Sequence, residues 1–369
     1  MFGIFPREES VNEFPRESLP KLFSYAVAAL SKFDLSPIIS NSYTSGKMVP
    51  LSRRRAAALL VSAGGSTLTG QNLGTPIVSD RAAIALNDGT HLPFASFGVQ
   101  IYDDETAFQR TSTALSVGFR SFFASIESGN QVGFARAIAN SMLEREEVYL
   151  SGSVLSDAAV GYRAAYRETK RGVAKNLANM RLGSGGQIDS LDLLLLEYPG
   201  TGRESIVGQW RALEDAQAAG LVRSIGVSNF SPKQLDFILH DGRTRVAPVV
   251  NQLPYSLAFR QPYAELRQAH RCRGVALQAW SPLGGPSQLI SASVVRVCER
   301  LGANRGGRTA YQVALRWLVQ SGVAFSVHSA SASHLQEDLA AVIDAGFVLD
   351  GEAMRMLDAI SESTIELVV

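Results

Sequence analysis

The side chains of this chain that could do chemistry form no familiar catalytic or metal-binding pattern. Its two cysteines, Cys272 and Cys298, make neither a CxxC pair nor a metal-ligand spacing, so we expect two buried, reduced thiols. No Ser-His-Asp arrangement stands out. Two carboxylates, Glu127 and Glu197, could form an acid–base pair, but strand parity places Glu127 in a loop and we interpret it as a solvated residue. The chemistry must therefore be assigned from the fold that positions these residues.

Strand-like and helix-like segments alternate from about residue 84 onwards. The segment 84–93 carries apolar residues on both sides of an Asn-Asp-Gly turn and predicts a β-hairpin. Eight strand-like runs come next, each succeeded by a helical pattern. The run LDLLLL is apolar without alternation, which is typical of a parallel strand buried on both faces. The eight runs are ASFGVQ (95–100), FRSFFASI (119–126), VYLSGSVL (148–155), LDLLLLEYP (191–199), VRSIGVSN (222–229), APVVNQ (247–252), VALQAWSPL (275–283) and AFSVHSA (324–330).

Eight strand–helix units predict a (β/α)8 TIM barrel with an N-terminal β-hairpin, over residues 84–362. A doubly wound α/β sheet is the alternative, but no GxGxxG motif follows the first strand. The 369 residues, 46% hydrophobic, are enough for a large core. A net charge of +1 argues against a nucleic-acid partner. No apolar run approaches the ~18 residues that a transmembrane segment needs.

The first eighty residues differ in composition from the rest. Residues 35–79 contain no Asp or Glu and are rich in small and hydroxylated residues, as in an organelle transit segment. Within them, SRRRAAALLVSAGGS (52–66) resembles a twin-arginine export signal. In a eukaryotic phototroph this combination would indicate a plastid transit peptide and the thylakoid lumen. The alternative is a disordered tail on a cytoplasmic protein, because Glu8 and Glu9 are unusual in a transit peptide. We expect residues 1–80 to be a targeting or largely disordered extension.

Five motifs, in order, resemble those of the aldo-keto reductase family. The resemblance implies a (β/α)8 barrel that binds a nicotinamide dinucleotide, usually NADP(H), at its C-terminal face without a Rossmann domain. The motifs are LNDGTHLP (86–93), GLVRSIGVSNF (220–230), VVNQLPYS (249–256), VALQAWSPLGG (275–285) and AYQVALRWLVQSGV (310–323).

The resemblance assigns the nicotinamide end of the cofactor site to retained residues. The family's Ser-Asn pair and Gln, which hydrogen-bond the carboxamide, match Ser228, Asn229 and Gln252. Short hydroxyl and amide side chains suit such a ligand. Trp280 matches the aromatic residue that stacks on the nicotinamide ring. The loop that follows would lie along the pyrophosphate, and its assigned residues are Ser281, Leu283 and Gly284.

The adenosine end departs from the family pattern. The family places a Lys and an Arg on the 2′-phosphate, which favours NADP(H), whereas this chain has His328 and His334. Imidazoles are mostly neutral near pH 7 and hold a dianionic phosphate less tightly than Lys and Arg. Ser329 and Glu337 match the family. The resemblance therefore leaves NADP and NAD open as cofactors, with a weakened hold on the phosphate.

All four positions of the family's catalytic tetrad are substituted. The Asp, Tyr, Lys and His positions hold Phe123, Ser128, Ser153 and Glu197, respectively. In the family the Tyr protonates the carbonyl oxygen, and a serine hydroxyl is shorter and a much weaker acid. A Glu at the His position occurs in family members that reduce a carbon–carbon double bond, but those members keep the Tyr and the Lys.

These substitutions favour a divergent family member that is a pseudoenzyme. Such a barrel keeps residues that bind a nicotinamide dinucleotide and acts as a scaffold, a sensor or a subunit of a larger assembly through a protein partner. The alternative is an active NAD(P)H-dependent carbonyl oxidoreductase with a non-standard proton donor, such as Glu197 or water, acting on a small molecule. An unrelated activity on the same barrel is the third option.

Overall fold

The computed structural model describes residues 83–259, 262–285 and 288–362. Within these residues the eight predicted runs form eight parallel strands that close into a barrel, with helices packed around it. The predicted (β/α)8 TIM barrel and its N-terminal hairpin are confirmed. The predicted targeting extension, residues 1–80, lies outside the described residues.

The barrel strands follow one another in chain order, and the last strand pairs with the first. Two short antiparallel hairpins accompany them, one before the first barrel strand and one after the seventh. The strands are β1 (Ala83–Ala85), β2 (His91–Pro93), β3 (Ala95–Val99), β4 (Ser121–Ser125), β5 (Tyr149–Val154), β6 (Leu191–Leu196), β7 (Val222–Ser228), β8 (Val250–Pro254), β9 (Ala276–Trp280), β10 (Gly284–Gly285), β11 (Gln288–Leu289) and β12 (Val323–Val327).

The helices begin where the sequence supplies polar caps. Asp103 accepts a hydrogen bond from the Thr106 amide, and Thr309 and Gln312 form a capping box, so the first unpaired amides of two helices are satisfied. The helices are α1 (Asp104–Ser116), α2 (Gln131–Ala139), α3 (Tyr162–Gly183), α4 (Arg203–Ala218), α5 (Pro232–Leu239), α6 (Tyr263–Arg271), α7 (Ala292–Ala303), α8 (Ala310–Gln320), α9 (Ala332–Ile343) and α10 (Gly351–Glu362). None of them is both long and apolar enough to cross a membrane.

Alternate strand residues separate two apolar cores. The larger core lies between the strands and the helices and includes the edge-to-face contact of Phe97 with Phe122. The smaller core fills the barrel interior, where Leu193 and Leu195 meet Phe123. Phe123 therefore points into the barrel, as its parity in the strand predicts.

The N-terminal hairpin closes one end of the barrel. The Asn87 side-chain amide donates to the carbonyls of Pro248 and Gly274, both at 2.9 Å. Asp88 accepts a hydrogen bond from the Ser224 hydroxyl at 2.7 Å. Leu86, from the same hairpin, is buried in the interior core. The turn residues thus tie the hairpin to three separate barrel segments.

One of the two cysteines is not where we expected it. Cys298 is buried, but Cys272 is exposed, so the prediction of two buried thiols was wrong for Cys272. Cys272 caps the last turn of α6 on its solvent side, where its sulfur accepts a hydrogen bond from Gln268.

A buried histidine joins α6 to the barrel. One ring nitrogen of His270 lies 2.9 Å from the Asn251 side-chain nitrogen and the other lies 2.8 Å from the Leu266 carbonyl oxygen. Burial lowers the pKa of His270 to about 4. The neutral ring is therefore the form that the folded protein stabilises.

Replacing Asn87 with Ala should lower the free energy of unfolding by about 1–3 kcal/mol, because two carbonyls lose their donor. Urea denaturation would measure this loss. Asn304→Ala, at an exposed helix end, is the matched control and should change stability by no more than about 0.5 kcal/mol. Equal effects of the two substitutions would contradict the proposed anchor.

The pH dependence of stability should reveal His270. The unfolded chain takes up this proton near pH 6.5 and the folded protein only near pH 4, so wild type should lose about 3 kcal/mol relative to His270→Gln across that window. Urea denaturation of both proteins from pH 7 to pH 4 would measure the difference. His240→Gln, which replaces an exposed histidine, should follow wild type. A pH-independent difference would show that His270 does not titrate as described.

Candidate active site at the barrel mouth

The polar residues of interest gather at the C-terminal ends of neighbouring barrel strands. Ser125 ends β4, and Ser153 is the penultimate residue of β5. Glu197 directly follows β6, and Ser228 ends β7. Because the strands are parallel, these ends form one rim, which is where (β/α)8 barrels place their active sites. The barrel thus brings together residues that are far apart in sequence.

Ser125 connects Ser153 and Glu197, two of the positions that the sequence analysis matched to the family's tetrad. Its hydroxyl donates to Glu197 Oε2 at 3.1 Å and accepts from the Ser153 hydroxyl at 3.0 Å. Ser125 and Ser153 are also register partners in the β4–β5 ladder. The sequence reasoning missed Ser125, although its parity with Phe123 placed it on the inner face.

Glu197 is a carboxyl whose surroundings disfavour its charge. Burial raises the pKa of Glu197 to about 7, and the nearby carboxylates of Glu127 and Asp157 add to the increase. Hydrogen bonding by the neighbouring Ser153 and Ser125 hydroxyls acts in the opposite direction, with Ser125 donating to the carboxyl and Ser153 donating to Ser125. The residue keeps some exposed surface, so a small molecule in the barrel mouth could reach it. Among the described residues Glu197 takes part in no ion pair.

Glu127 lies outside the strands, as we expected, but it is less solvated than we expected. Glu127 lies in a short 3₁₀ turn, Ile126–Ser128, and is only partly exposed. Its backbone amide donates to the Ser125 hydroxyl at 3.1 Å, which fixes the turn against the Glu197 site. The charge of Glu127 thus acts on Glu197.

Phe123 and Ser128, the other two positions matched to the tetrad in the sequence analysis, are not part of this cluster. Phe123 packs in the apolar interior of the barrel. The Ser128 hydroxyl is buried and donates to the Val99 carbonyl at 3.4 Å, a long hydrogen bond that directs it towards β3. The structure therefore brings together Ser153 and Glu197 but leaves Phe123 and Ser128 in separate environments.

Asn229 links the carboxyl cluster to the predicted nicotinamide site. Its side-chain nitrogen donates to the backbone carbonyl of Glu197 at 3.0 Å and to the Ser228 hydroxyl at 3.1 Å. The Trp280 ring nitrogen donates to the side-chain oxygen of Asn229 at 3.1 Å. Asn229 has a φ of +62°, in the left-handed region that Asn tolerates better than most residues. This conformation places its side chain between Glu197 and Trp280.

The predicted carboxamide ligands also lie together. The Ser228 hydroxyl donates to the Gln252 carbonyl at 3.1 Å, and the Gln252 side-chain nitrogen donates to Gln278 at 3.0 Å. The sequence reasoning missed Gln278, which is buried one strand further along. Gln252 Oε1 accepts none of the hydrogen bonds recorded among the described residues. Donors and acceptors of this kind fit a primary amide such as the nicotinamide carboxamide.

The predicted pyrophosphate loop continues from Trp280. Ser281 has a φ of +51°, and the amide of Gly284 donates to its carbonyl at 2.9 Å. Leu283 packs on the larger core and so anchors the loop to the barrel. The loop therefore starts as a tight turn beside the Trp280 ring.

The predicted adenosine residues come together at the start of α9. Ser331 caps the helix by accepting from the His334 amide, and the Ser329 hydroxyl lies 3.5 Å from a ring nitrogen of His334. His328 directly follows β12, and Glu337 lies one turn into the helix. A helix N-terminus with polar side chains around it can accept an anionic group. No three His, Cys, Asp or Glu side chains in the described part of the chain could hold a metal ion.

Comparison with known proteins gives the class of this barrel. The sequence profile of the Aldo/keto reductase family matches residues 95–362. An aldo-keto reductase of Mycobacterium sp. (strain JLS) is 35% identical over 250 residues, covering 68% of this chain and 81% of the relative. The glyoxal reductase of Bacillus subtilis (strain 168) is 29% identical over 283 residues, covering 76% and 94%. The chain belongs to the aldo/keto reductase family.

Solved structures agree with this assignment. The aldo/keto reductase of Brucella melitensis superposes with a TM-score of 0.64 at 27% identity, covering 75% of this chain and 98% of that one. MGS-M4, an aldo-keto reductase from a deep-sea metagenome, has the same fold with a TM-score of 0.65 at 23% identity. The family generally uses NAD(P)H, and the amide-recognising residues described above fit the nicotinamide end of that cofactor.

Replacing Glu197 with Gln should stabilise the protein at alkaline pH. The folded carboxyl titrates near 7 against 4.5 in the unfolded chain, so its contribution is fully present below pH 4.5 and is lost as the pH rises through 7. Wild type should lose up to about 3 kcal/mol relative to Glu197→Gln between pH 4.5 and pH 8. Urea denaturation at both pH values would measure this difference. Glu168→Gln, at an exposed helix position, should show no such trend, and a flat difference for Glu197→Gln would contradict the raised pKa.

Proposed function

We propose that this protein is a NAD(P)H-dependent oxidoreductase that uses Glu197 as its proton donor. The observation that carries the proposal is the Glu197 carboxyl at the barrel mouth, with a pKa of about 7, on a residue whose backbone carbonyl accepts a hydrogen bond from Asn229, one of the residues proposed to hold the nicotinamide. An acid with a pKa near the working pH is well suited to general acid catalysis. Glu197 thereby replaces the missing Tyr in role, from the position of the family's His.

In this proposal one side of the barrel mouth binds the cofactor and the other side donates the proton. A nicotinamide dinucleotide supplies a hydride to the substrate carbon when it is bound. Ser228 and Gln252 hold the carboxamide, and Trp280 provides an aromatic surface beside it. On the other side, protonated Glu197 donates its proton to the substrate oxygen, and the Ser125 hydroxyl holds the carboxyl in place. Orientation by these groups lowers the barrier because the reacting atoms are held together.

A small carbonyl compound is the substrate class that fits this proposal. The name of the Bacillus relative, glyoxal reductase, supports a small aldehyde substrate. The side chain of Phe123 occupies the barrel interior beneath the mouth, where the family has an Asp, so the floor of the site is apolar. A neutral substrate suits a site whose charged neighbours, Glu127 and Asp157, are acidic.

A second candidate is a pseudoenzyme that binds the nucleotide without turnover and acts through a protein partner. The observation that favours it is the pair of serines at the Tyr and Lys positions, Ser128 and Ser153. The Ser128 hydroxyl is engaged with Val99, so it offers no phenol-like acid to a substrate. In this case Glu197 would be a structural carboxyl.

Nucleotide binding and turnover separate these candidates. Titration of NADPH and NADH by tryptophan fluorescence, followed by an aldehyde-reduction assay, should show binding and turnover. We expect kcat/KM to be constant below pH 7 and to fall about tenfold per pH unit above it, because only the protonated carboxyl acts as the acid. Glu197→Gln should reduce kcat at least about 100-fold.

The controls define what would overturn the proposal. Glu168→Gln should leave kcat unchanged, and Gln252→Ala should weaken nucleotide binding. Binding without turnover would exclude the oxidoreductase and support the pseudoenzyme. If neither NADPH nor NADH binds, both the oxidoreductase and the nucleotide-binding pseudoenzyme are excluded.

A further inference from the structure

The hydroxyl of Ser125 makes three hydrogen bonds, all with residues of the Glu197 site. It donates to Glu197 Oε2, accepts from Ser153, and accepts from the backbone amide of Glu127. The three distances are 3.1, 3.0 and 3.1 Å, and Ser125 is 7% exposed. A hydroxyl with one donated and two accepted hydrogen bonds has no further capacity. Its rotamer is therefore fixed by three separate segments of the chain.

The position of the Glu197 carboxyl depends on such neutral partners. The charged groups that face it are Glu127, from the turn after β4, and Asp157, from the loop after β5, and both are acidic. From the residue after β7, the neutral Asn229 amide donates to the Glu197 backbone carbonyl. Without a cation to pair with, a carboxyl at this depth is held by hydrogen bonds from hydroxyl groups.

We infer that Ser125 is the positioning residue of this site: it orients the Glu197 carboxyl towards the barrel mouth and stabilises its ionised form through the hydrogen bond to Oε2. The inference rests on the proposed function, because it specifies how the proposed acid is held. Ser125 touches neither substrate nor cofactor in this role and acts only through Glu197. Ser153 supports it by donating to the Ser125 hydroxyl, which orients the Ser125 proton towards the carboxyl.

The role has a chemical consequence that a packing role lacks. A hydrogen bond to a carboxylate favours the ionised form, so its removal makes the carboxyl a weaker acid. Ser125→Ala deletes that bond while leaving Glu127 and Asp157 in place. The titration of Glu197 should move to higher pH, away from neutrality.

The test measures the titration of Glu197 directly in nucleotide-free protein. Infrared or carbon-13 NMR titration of labelled glutamate, with Glu197→Gln to identify the signal, gives the midpoint for each variant. Ser125→Ala should raise the midpoint by about one pH unit. Ser125→Cys, which keeps a weak donor of similar size, should lie between Ala and wild type.

Ser121→Ala is the matched control. Ser121 lies on the same strand, is equally buried, and its hydroxyl has no hydrogen-bond partner among the described residues. It should leave the midpoint unchanged. If Ser125→Ala does not fold, Ser125→Cys provides the same comparison. A midpoint that stays at the wild-type value in the folded Ser125 variant would overturn the inference.

The assay of turnover adds a readout that a structural role would not move. In Ser125→Ala the falling limb of the kcat/KM profile should shift to higher pH by the same amount as the midpoint, with the affinity for NADPH unchanged. A shifted midpoint in a protein without turnover would support the role of Ser125 and contradict the proposed function. Turnover in Ser125→Ala, with no shift in the Glu197 midpoint or in the kcat/KM profile, would contradict the role of Ser125 and leave the proposed function standing.

Discussion

The site depends on holding a carboxyl at the rim of a barrel without a cation beside it. Glu197 is part of no ion pair among the described residues, and its charged neighbours are acidic. Desolvation would otherwise drive such a group fully to its neutral form. The hydrogen bond from Ser125, whose hydroxyl is in turn held by Ser153, offsets part of that cost and leaves Glu197 titrating near neutrality. The same balance gives a group that can both hold and release a proton under physiological conditions.

The barrel supplies this balance through its geometry. Parallel strands β4, β5 and β6 end at one rim, so three residues from separate strands reach one another without any loop having to fold over them. Below them the interior is closed by Phe123 and Leu195, and at the far end by the hairpin that Asn87 ties down. The mouth therefore lies above an apolar floor, and Asn229 lies beside the Glu197 site at this mouth.

Much of the fold could be predicted because its signals are local. Apolar runs such as LDLLLL and turn sequences such as Asn87-Asp88-Gly89 depend on neighbouring residues, and the ordered motifs specified the family. Asn229 and Gln252, which we propose hold the nicotinamide, were predicted from the same motifs, and the structure places both at the barrel mouth beside Ser228. The Ser125–Glu197 contact spans 72 positions and has no local signature. The exposure of Cys272 likewise depends on which side of α6 faces solvent.

The central claim is that Glu197 donates the proton to the substrate, and a crystal structure of the protein with NADP⁺ and an unreactive carbonyl analogue tests it most directly. We predict that a Glu197 carboxyl oxygen lies within hydrogen-bond distance of the analogue's oxygen, about 2.6–3.2 Å, with the carboxamide on Ser228 and Gln252. An analogue oxygen bound by water or by another side chain, with the Glu197 carboxyl still hydrogen-bonded only to Ser125, would contradict the account.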